Sequence, residues 1–325
     1  MGYSVLEQMH EKLIAAERPL LVADERLDGD SLGSALAVAD YLVQLGKPVK
    51  IFLSEPIPEK YRLLPHQDLC FFEAEELEKI SADLVVSFDC SDVEYVEKII
   101  GRLSGIKPIV LNIDHHITNP KFGHLHFVDI KAPATCEIVH RFFKENKIEI
   151  NHEVATCLFC GLIFDTTAFS NDATSAVALI SASELLLAGA RGGEAIRLLL
   201  KNRSIPALRL WGIALERLWF HEEYQAIATC ITLNDFETFE VSEEDVDGLS
   251  NFLQSVVDHD TICVMRENKG GGVKVSLRTH NGDVAAIARA NGGGGHTKAA
   301  GFTVPNTRLI PSDNGAWKLE PQAIL

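Results

Sequence analysis

The chain has 325 residues, 46% of them hydrophobic and 23% charged, the composition of an ordinary globular protein with room for about two domains. Those numbers exclude a disordered chain, a fibre and a small disulfide-stapled scaffold. A formal charge of −16 disfavours wrapping a long nucleic acid, because polymer affinity comes mainly from Lys and Arg displacing counterions along the phosphates. A short anionic substrate would need a local positive centre, and bound divalent cations are the ready source of one. Seven cysteines without paired spacing point to a reducing cytoplasm, and the amphipathic stretch MGYSVLEQMHEKLIAAE lacks the regions of a signal peptide. The most apolar stretches, 155–164 and 176–190, are about half a membrane span or are interrupted by Glu184, so no membrane crossing is expected.

In chain order, short β-branched runs at Leu20–Ala23, Val49–Leu53, Leu84–Phe88, Ile109–Ile113 and Leu125–Val128 interleave with helical periods. The helical segments are Gly33–Leu45, Val93–Leu103, Thr135–Glu145, Glu153–Phe164 and Ala173–Ala188. This alternation predicts a parallel sheet flanked by helices. A helical block at Gly192–Trp219, broken near Asn202 to Pro206, reads as a connector, with Trp211 and Trp219 on one helical face. The remainder predicts strands over Gln225–Leu233, Thr261–Arg266, Val273–Thr279 and Gly301–Val304, with helices over Glu243–Val257 and Val284–Ala290. The expected fold class is α/β, with an N-terminal parallel-sheet domain over 1–190, a connector over 191–223 and a smaller α/β domain over 224–325.

Four of the first five strands run directly into an aspartate: Asp24, Asp89, Asp114 and Asp129. Ligands of open parallel sheets bind outside the carboxyl ends of the strands, so these side chains would gather along one edge. Asp28 and Asp30 add to them from the turn LDGDSLGS before the next helix, and Asp165 ends the helix over 153–164. A lone aspartate after a strand is usually a helix N-cap, but three carboxylates within DERLDGD repel one another unless a cation lies between them. His115 and His116 follow Asp114, completing a carboxylate and imidazole set suited to Mn²⁺ or Mg²⁺ and to a two-metal site.

The run Asn112-Ile113-Asp114-His115-His116 resembles the name-giving motif of the DHH phosphoesterase superfamily. LDGDSLGS resembles its first motif, SFDCSD its second, GLIFDTTAF its fourth, and NGGGGHTKAAG, preceded by KVSLRTH, the hallmark of the DHHA1 domain. The similarity spans roughly Leu20 to Phe302 and is greatest to the stand-alone nanoRNase/pAp-phosphatase branch. It implies a DHH domain, a DHHA1 domain and an active-site cleft between them. It implies two divalent cations, most readily Mn²⁺, with Asp28 and Asp89 on one and Asp30, Asp89, His115 and Asp165 on the other. Asp89 would bridge, His116 would face the scissile phosphate, and Asp114 would orient the histidine pair. Asp24 stands where the stand-alone members usually carry His, and is kept as a ligand. The implied activity is hydrolysis of short oligoribonucleotides to nucleoside 5′-monophosphates, and of 3′-phosphoadenosine 5′-phosphate. A cyclic-dinucleotide phosphodiesterase and a catalytically impaired nucleotide-binding sensor are the alternatives.

In the second domain, Gly293, Gly294 and Gly295 could turn amides toward a phosphate, His296 follows them, and Arg278 shares a strand face with Lys274 and Ser276; these are the candidate substrate contacts. Cys157 and Cys160 read as core, and His124 with His126 as a half-exposed strand pair. The expected partner is a short RNA or nucleotide, with no long nucleic acid and no membrane; a homodimer is left open.

Overall fold

The computed structural model describes residues 4–200, 203–222, 224–312 and 315–321. It divides into two compact units, residues 1–202 and 203–325, so the break falls inside the segment expected as a connector. Among the described residues no single helix is long and apolar enough to cross a membrane.

In the first unit, α1 (Val5–Ala15) leads into β1 (Pro19–Val22), whose four residues are all buried. There follow α2 (Gly29–Gln44), β2 (Lys50–Phe52), β3 (Cys70–Phe71), β4 (Leu84–Phe88), α3 (Val93–Arg102), β5 (Ile109–Asp114) and β6 (Leu125–Val128). Four helices complete the unit: α4 (Thr135–Glu145), α5 (His152–Asp165), α6 (Ala176–Leu187) and α7 (Gly192–Leu200). The six strands are all parallel, in the order β3-β2-β1-β4-β5-β6. Alternate residues face opposite cores, with Leu21 and Val86 packed among α2, α4 and α5, and Leu20, Val22 and Val85 against Tyr95, Val96 and Ile99 of α3. Strand order reverses between β1 and β4, the switch point where such sheets open a crevice at their carboxyl ends.

Two elements of the first unit differ from the sequence reading. The second helix begins at Gly29, because Asp28 caps it by accepting from the amides of Asp30 and Ser31. Asp30 therefore sits in the first helical turn, not in a loop. Nearly every residue of α2 is buried, and α5 lies close against it: a Cβ on Gly33 would stand 2.5 Å from the Cys157 carbonyl oxygen. The two-residue β3 escaped notice because so short an edge strand carries no periodicity.

The second unit holds α8 (Ile205–Glu216), β7 (Trp219–His221), β8 (Ala226–Ile231), α9 (Leu233–Phe239), α10 (Leu249–Val256), β9 (Thr261–Asn268) and β10 (Gly272–Thr279). It ends with α11 (Val284–Ala290), β11 (Gly294–His296), β12 (Ala299–Pro305) and the hairpin β13 (Thr307–Pro311) with β14 (Trp317–Pro321). Its sheet runs β11-β12-β10-β9-β8-β7, and only β8 and β9 pair in parallel. The helix expected over 243–257 is a 3-10 turn and then α10, parted by Gly248 at φ +87°, a conformation that interrupts a right-handed helix. Trp219 opens β7, so it shares no helical face with Trp211 of α8. Val273, Val275 and Leu277 are buried in one core of this unit, and Lys274, Ser276 and Arg278 alternate with them on the other face.

Candidate metal centre

The chain turns off β4 at Asp89, whose φ of +61° is left-handed, a conformation Asp tolerates better than most residues. Its amide still donates to the Ile113 carbonyl (2.9 Å), so the turn comes at the last rung of the β4–β5 ladder and swings the carboxylate back over the sheet edge. Asp114 ends β5 and is fully buried; its Oδ1 accepts from the amides of His115 (2.7 Å) and His116 (3.1 Å) and from His116 Nδ1 (2.8 Å). Asn119 Nδ2 donates to its Oδ2 at 2.5 Å. Burial alone would raise the Asp114 pKa, but the bonds from His116 and Asn119 prevail and hold it below the usual carboxylate range. The histidine pair therefore stands on a carboxylate that stays charged.

His115 Nε2 points among three carboxylate oxygens: Asp165 Oδ2 at 3.1 Å, Asp89 Oδ1 at 3.5 Å and Asp30 Oδ2 at 4.0 Å. It makes no directed hydrogen bond to any of them, and it is buried. Nδ1 of the same ring faces the Ala132 carbonyl at 3.2 Å, which needs a proton on Nδ1. Nε2, set among three anionic oxygens, then needs either a second proton or a cation between itself and them. Two sets of ligand atoms fall within 4.8 Å of one another: Asp30, His115 and Asp165, and Asp89, His115 and His116.

Electrostatics agrees with the geometry. Burial, then Asp165, pushes Asp30 up to about 6; burial, then Asp30, Asp28 and Asp165, pushes Asp89 well above its ordinary value; Asp28 and Asp165 are also raised, chiefly by burial. Burial opposes a charge on His115, yet Asp165 and Asp30 push it up to about 9. Like charges about 4 Å apart repel by roughly 4 kcal/mol at an effective dielectric of about 20, so this cluster needs protons or cations to stay together. Its donor set of carboxylates and imidazole is of the kind that suits Mn²⁺ or Mg²⁺. The adjoining Cys136 is held as a neutral thiol by burial and offers no thiolate.

A third acidic and imidazole group, Asp40, His66 and Glu153, differs in kind. Asp40 Oδ1 is taken by His66 Nε2 (2.8 Å), and its Oδ2 by Gln44 (2.5 Å) and Asn151 (2.9 Å), an ordinary hydrogen-bonded network.

Asp24, expected as a ligand, is outside the converging sets: its Oδ1 accepts from the Arg26 amide at 3.0 Å, with Arg26 Nε 3.8 Å away. Asp28 spends Oδ1 on the α2 cap, while its charge bears on Asp89. Asp129 pairs with Arg141 at 2.7 Å, the blander role for a strand-end aspartate. In the second unit, Arg278 Nε donates to Asn251 Oδ1 (2.7 Å) and Nη1 to the Leu277 carbonyl (2.9 Å), which fixes the guanidinium on its strand face. The Gly293 amide donates to Ala288, and a Cβ there would overlap Gly301 and Phe302 of β12. Gly295, at φ +134°, would meet the Ala299 oxygen at 2.6 Å, whereas Gly294 has open space. Close approach to β12 thus demands two of these glycines. The His296 side chain lies outside the described residues.

The sequence reading missed Thr135. Its amide donates to Asp30 Oδ2 (2.6 Å), the Cys136 amide to Asp30 Oδ1 (2.8 Å), and its hydroxyl to Asp89 Oδ1 (2.8 Å). The start of α4 has no side-chain cap of its own, since Ala134 occupies the cap position; Asp30 from another helix satisfies it instead. A helix start without a capping residue was the available signal. The same crowding gives a test: a Cβ on Gly161 would overlap Cys136 Sγ and stand 2.7 Å from Asp30 Oδ1. Gly161→Ala should cost about 1–3 kcal/mol of stability by overpacking, read by urea unfolding. An unaltered midpoint would show that α2 and α5 part more easily than this packing allows.

The DHH family N-terminal domain model matches residues 19–162, and the DHHA1 domain model residues 225–314. The bifunctional oligoribonuclease and PAP phosphatase NrnA of Thermus thermophilus is 32% identical over 301 residues, 92% of this chain and 88% of that protein. The Bacillus subtilis protein of the same description is 24% identical over 62% of this chain and 64% of its own length. The crystal structure of an exopolyphosphatase-related protein from Bacteroides fragilis shares the fold, with a TM-score of 0.82 at 22% identity over 92% of this chain and 90% of that one. With both domain models matched in order and the Thermus relative aligned along nearly the whole length, the chain belongs to the DHH/DHHA1 phosphoesterase superfamily.

Proposed function

We propose that the protein is a divalent-metal phosphodiesterase that hydrolyses short oligoribonucleotides to nucleoside 5′-monophosphates and also dephosphorylates 3′-phosphoadenosine 5′-phosphate (pAp). The observation that carries this reading is His115 Nε2 set among the carboxylates of Asp30, Asp89 and Asp165. The activity named for the Thermus relative supports the substrate class, and a net charge of −16 favours short substrates over polymers.

Asp30, Asp89, His115 and Asp165 would hold the cations, most readily Mn²⁺, with Asp28 as a further ligand. Divalent cations there supply an acidified water as nucleophile and offset the charge that builds on the phosphoryl oxygens. The chain's own part is positioning. Thr135 and the first amides of α4 fix the Asp30 and Asp89 carboxylates in place. Asp114 holds a proton on His116 Nδ1, and this bond is the main cause that raises the His116 pKa. A raised pKa favours the protonated ring, from which Nε2 would give a proton to the departing oxygen. In the second unit, Arg278, held by Asn251, and residues 293–296 are proposed as contacts to a nucleotide.

The test is turnover of a labelled RNA dinucleotide, pAp and cyclic di-AMP, with Mn²⁺ and with a chelator. Cleavage of the first two, lost on chelation, is expected. Binding without cleavage, or turnover of the cyclic compound alone, would overturn the assignment.

A further inference from the structure

Asn119 follows the histidine pair, and its amide donates to the His116 carbonyl (3.1 Å), closing the turn between them. Its side chain is 8% exposed and turns back to the ends of β4 and β5. Nδ2 there has three oxygens in reach: Asp114 Oδ2 (2.5 Å), Asn112 Oδ1 (2.9 Å) and the Cys90 carbonyl (3.2 Å). All three are acceptors, so the position demands a donor. Oδ1 of the same side chain takes the Lys121 amide (2.7 Å), and the orientation of the Asn119 amide is thereby fixed by its neighbours.

Asn112, fully buried on β5, extends the network: its Nδ2 donates to Ser87 Oγ of β4 (3.0 Å) and to the same Cys90 carbonyl (3.0 Å). Cys90 follows the left-handed residue Asp89, so the two asparagines hold both the backbone beside Asp89 and the carboxylate on which the histidine pair stands. The two oxygens of that carboxylate are unequally served. Oδ1 of Asp114 takes the amides of His115 and His116 and the His116 ring, whereas among the described residues only Asn119 donates to Oδ2. Without Asn119 the group is held at one oxygen and is free to turn about χ2, a broad torsion in aspartate. A buried polar network specifies one arrangement only when every member is satisfied.

We infer that Asn119 is a positioning residue of the hydrolytic centre: by engaging the second oxygen of Asp114 it locks that carboxylate, and through it the His116 ring, in the orientation from which Nε2 serves the departing oxygen. The inference rests on the phosphodiesterase reading above, in which His116 gives that proton. Asn119 itself touches neither substrate nor metal in this role. Partners that orient a site group from behind change activity by about 10- to 100-fold.

The experiment uses the full chain with isotope-labelled histidines, first without metal. Two imidazole protons held by carboxylates should stand far downfield in the proton spectrum: His116 Nδ1 on Asp114 (2.8 Å) and His66 Nε2 on Asp40 (2.8 Å). Their losses in His116→Gln and His66→Gln identify them. Asn119→Ala should remove the His116 signal and keep the His66 signal. With Mn²⁺ added it should lower kcat on a labelled RNA dinucleotide about 10- to 100-fold and leave KM within about threefold. Asn119→Ser, whose hydroxyl is a shorter donor, should fall between the two and is read by the same criteria if the alanine variant does not fold. A His116 signal that survives the substitution, or an unchanged kcat, would overturn the role of Asn119 and leave the phosphodiesterase reading standing. Loss of both signals would make Asn119 a structural group and overturn the inference. Wild-type protein that cleaves no dinucleotide with Mn²⁺ would remove the reading beneath the inference as well.

Discussion

Asp89→Asn should hydrolyse a dinucleotide about 10³-fold more slowly than wild type, or worse, and yet be the more stable of the two once metal is chelated. The substitution keeps the volume and a side chain that tolerates φ +61°, so the backbone turn after β4 survives. What changes is one negative charge beside the histidine that the converging sets share, since Asp89 Oδ1 lies 3.5 Å from His115 Nε2 and 3.4 Å from His116 Nδ1. A neutral amide oxygen is a weak ligand for a hard divalent cation and lacks the charge that a bridging ligand needs. In the metal-free chain the same charge is a burden, because burial and then Asp30, Asp28 and Asp165 raise the Asp89 pKa. Opposite changes in activity and metal-free stability are the signature of a group retained for a cation. Steady-state kinetics with Mn²⁺ and thermal melts with chelator read the two quantities. Near-native turnover by the variant would show that Asp89 is no ligand of the reacting centre.

The part of this arrangement that could be read from sequence is the part set by strand ends. The buried runs of β4 and β5 are short, rich in β-branched residues and lead at once into an aspartate, so the side to which Asp89 and Asp114 project follows from the parallel order alone. Asp30 was harder, because LDGDSLGS reads as a turn until one sees Asp28 accept the cap bonds and draw Gly29 and Asp30 into the helix. Thr135 gave a weaker signal, a helix start without a capping residue, because its contact with Asp89 joins residues 46 positions apart and threonine has no periodicity that marks it. For Asp24 a strand-end position does not fix where the side chain turns, and in the metal-free chain its Oδ1 accepts from the Arg26 amide. In the second unit, α9 carries its own capping box at Thr232 and Asp235, but its seven residues are too few to display a helical face.

Metal-free protein should melt at lower temperature as the pH is raised from 6.5 to 9, and saturating Mn²⁺ should reverse that slope. Burial works against the charge of His115, but Asp165 and Asp30 raise its pKa from 6.5 to about 9 in the folded chain, so the stability it contributes is complete below 6.5 and lost as the pH passes 9. His116, raised mainly by Asp114, acts with the same sign. So does Asp30, raised from 3.8 to about 6 by burial and then Asp165, although most of its loss is complete before the window opens. Below pH 6.5 the sign is mixed, since burial holds His140 down at about 4, and its contribution is lost as the pH falls through that range. Carboxylates held low, such as Asp114, Asp129 and Asp235, lose their contribution only near and below pH 4. From 6.5 to about 8 the metal centre therefore decides the slope, and above that the seven thiols, each raised by burial, add to it with the same sign. Cations displace the same protons, so their affinity climbs with pH, and at a hundred times Kd they add about 2.7 kcal/mol. For a unit of this size that is a rise of roughly 5–10 °C in melting temperature. A metal-free melting temperature that climbs with pH across this window, or one that Mn²⁺ leaves unmoved, would mean that the buried carboxylates are balanced by something other than a cation.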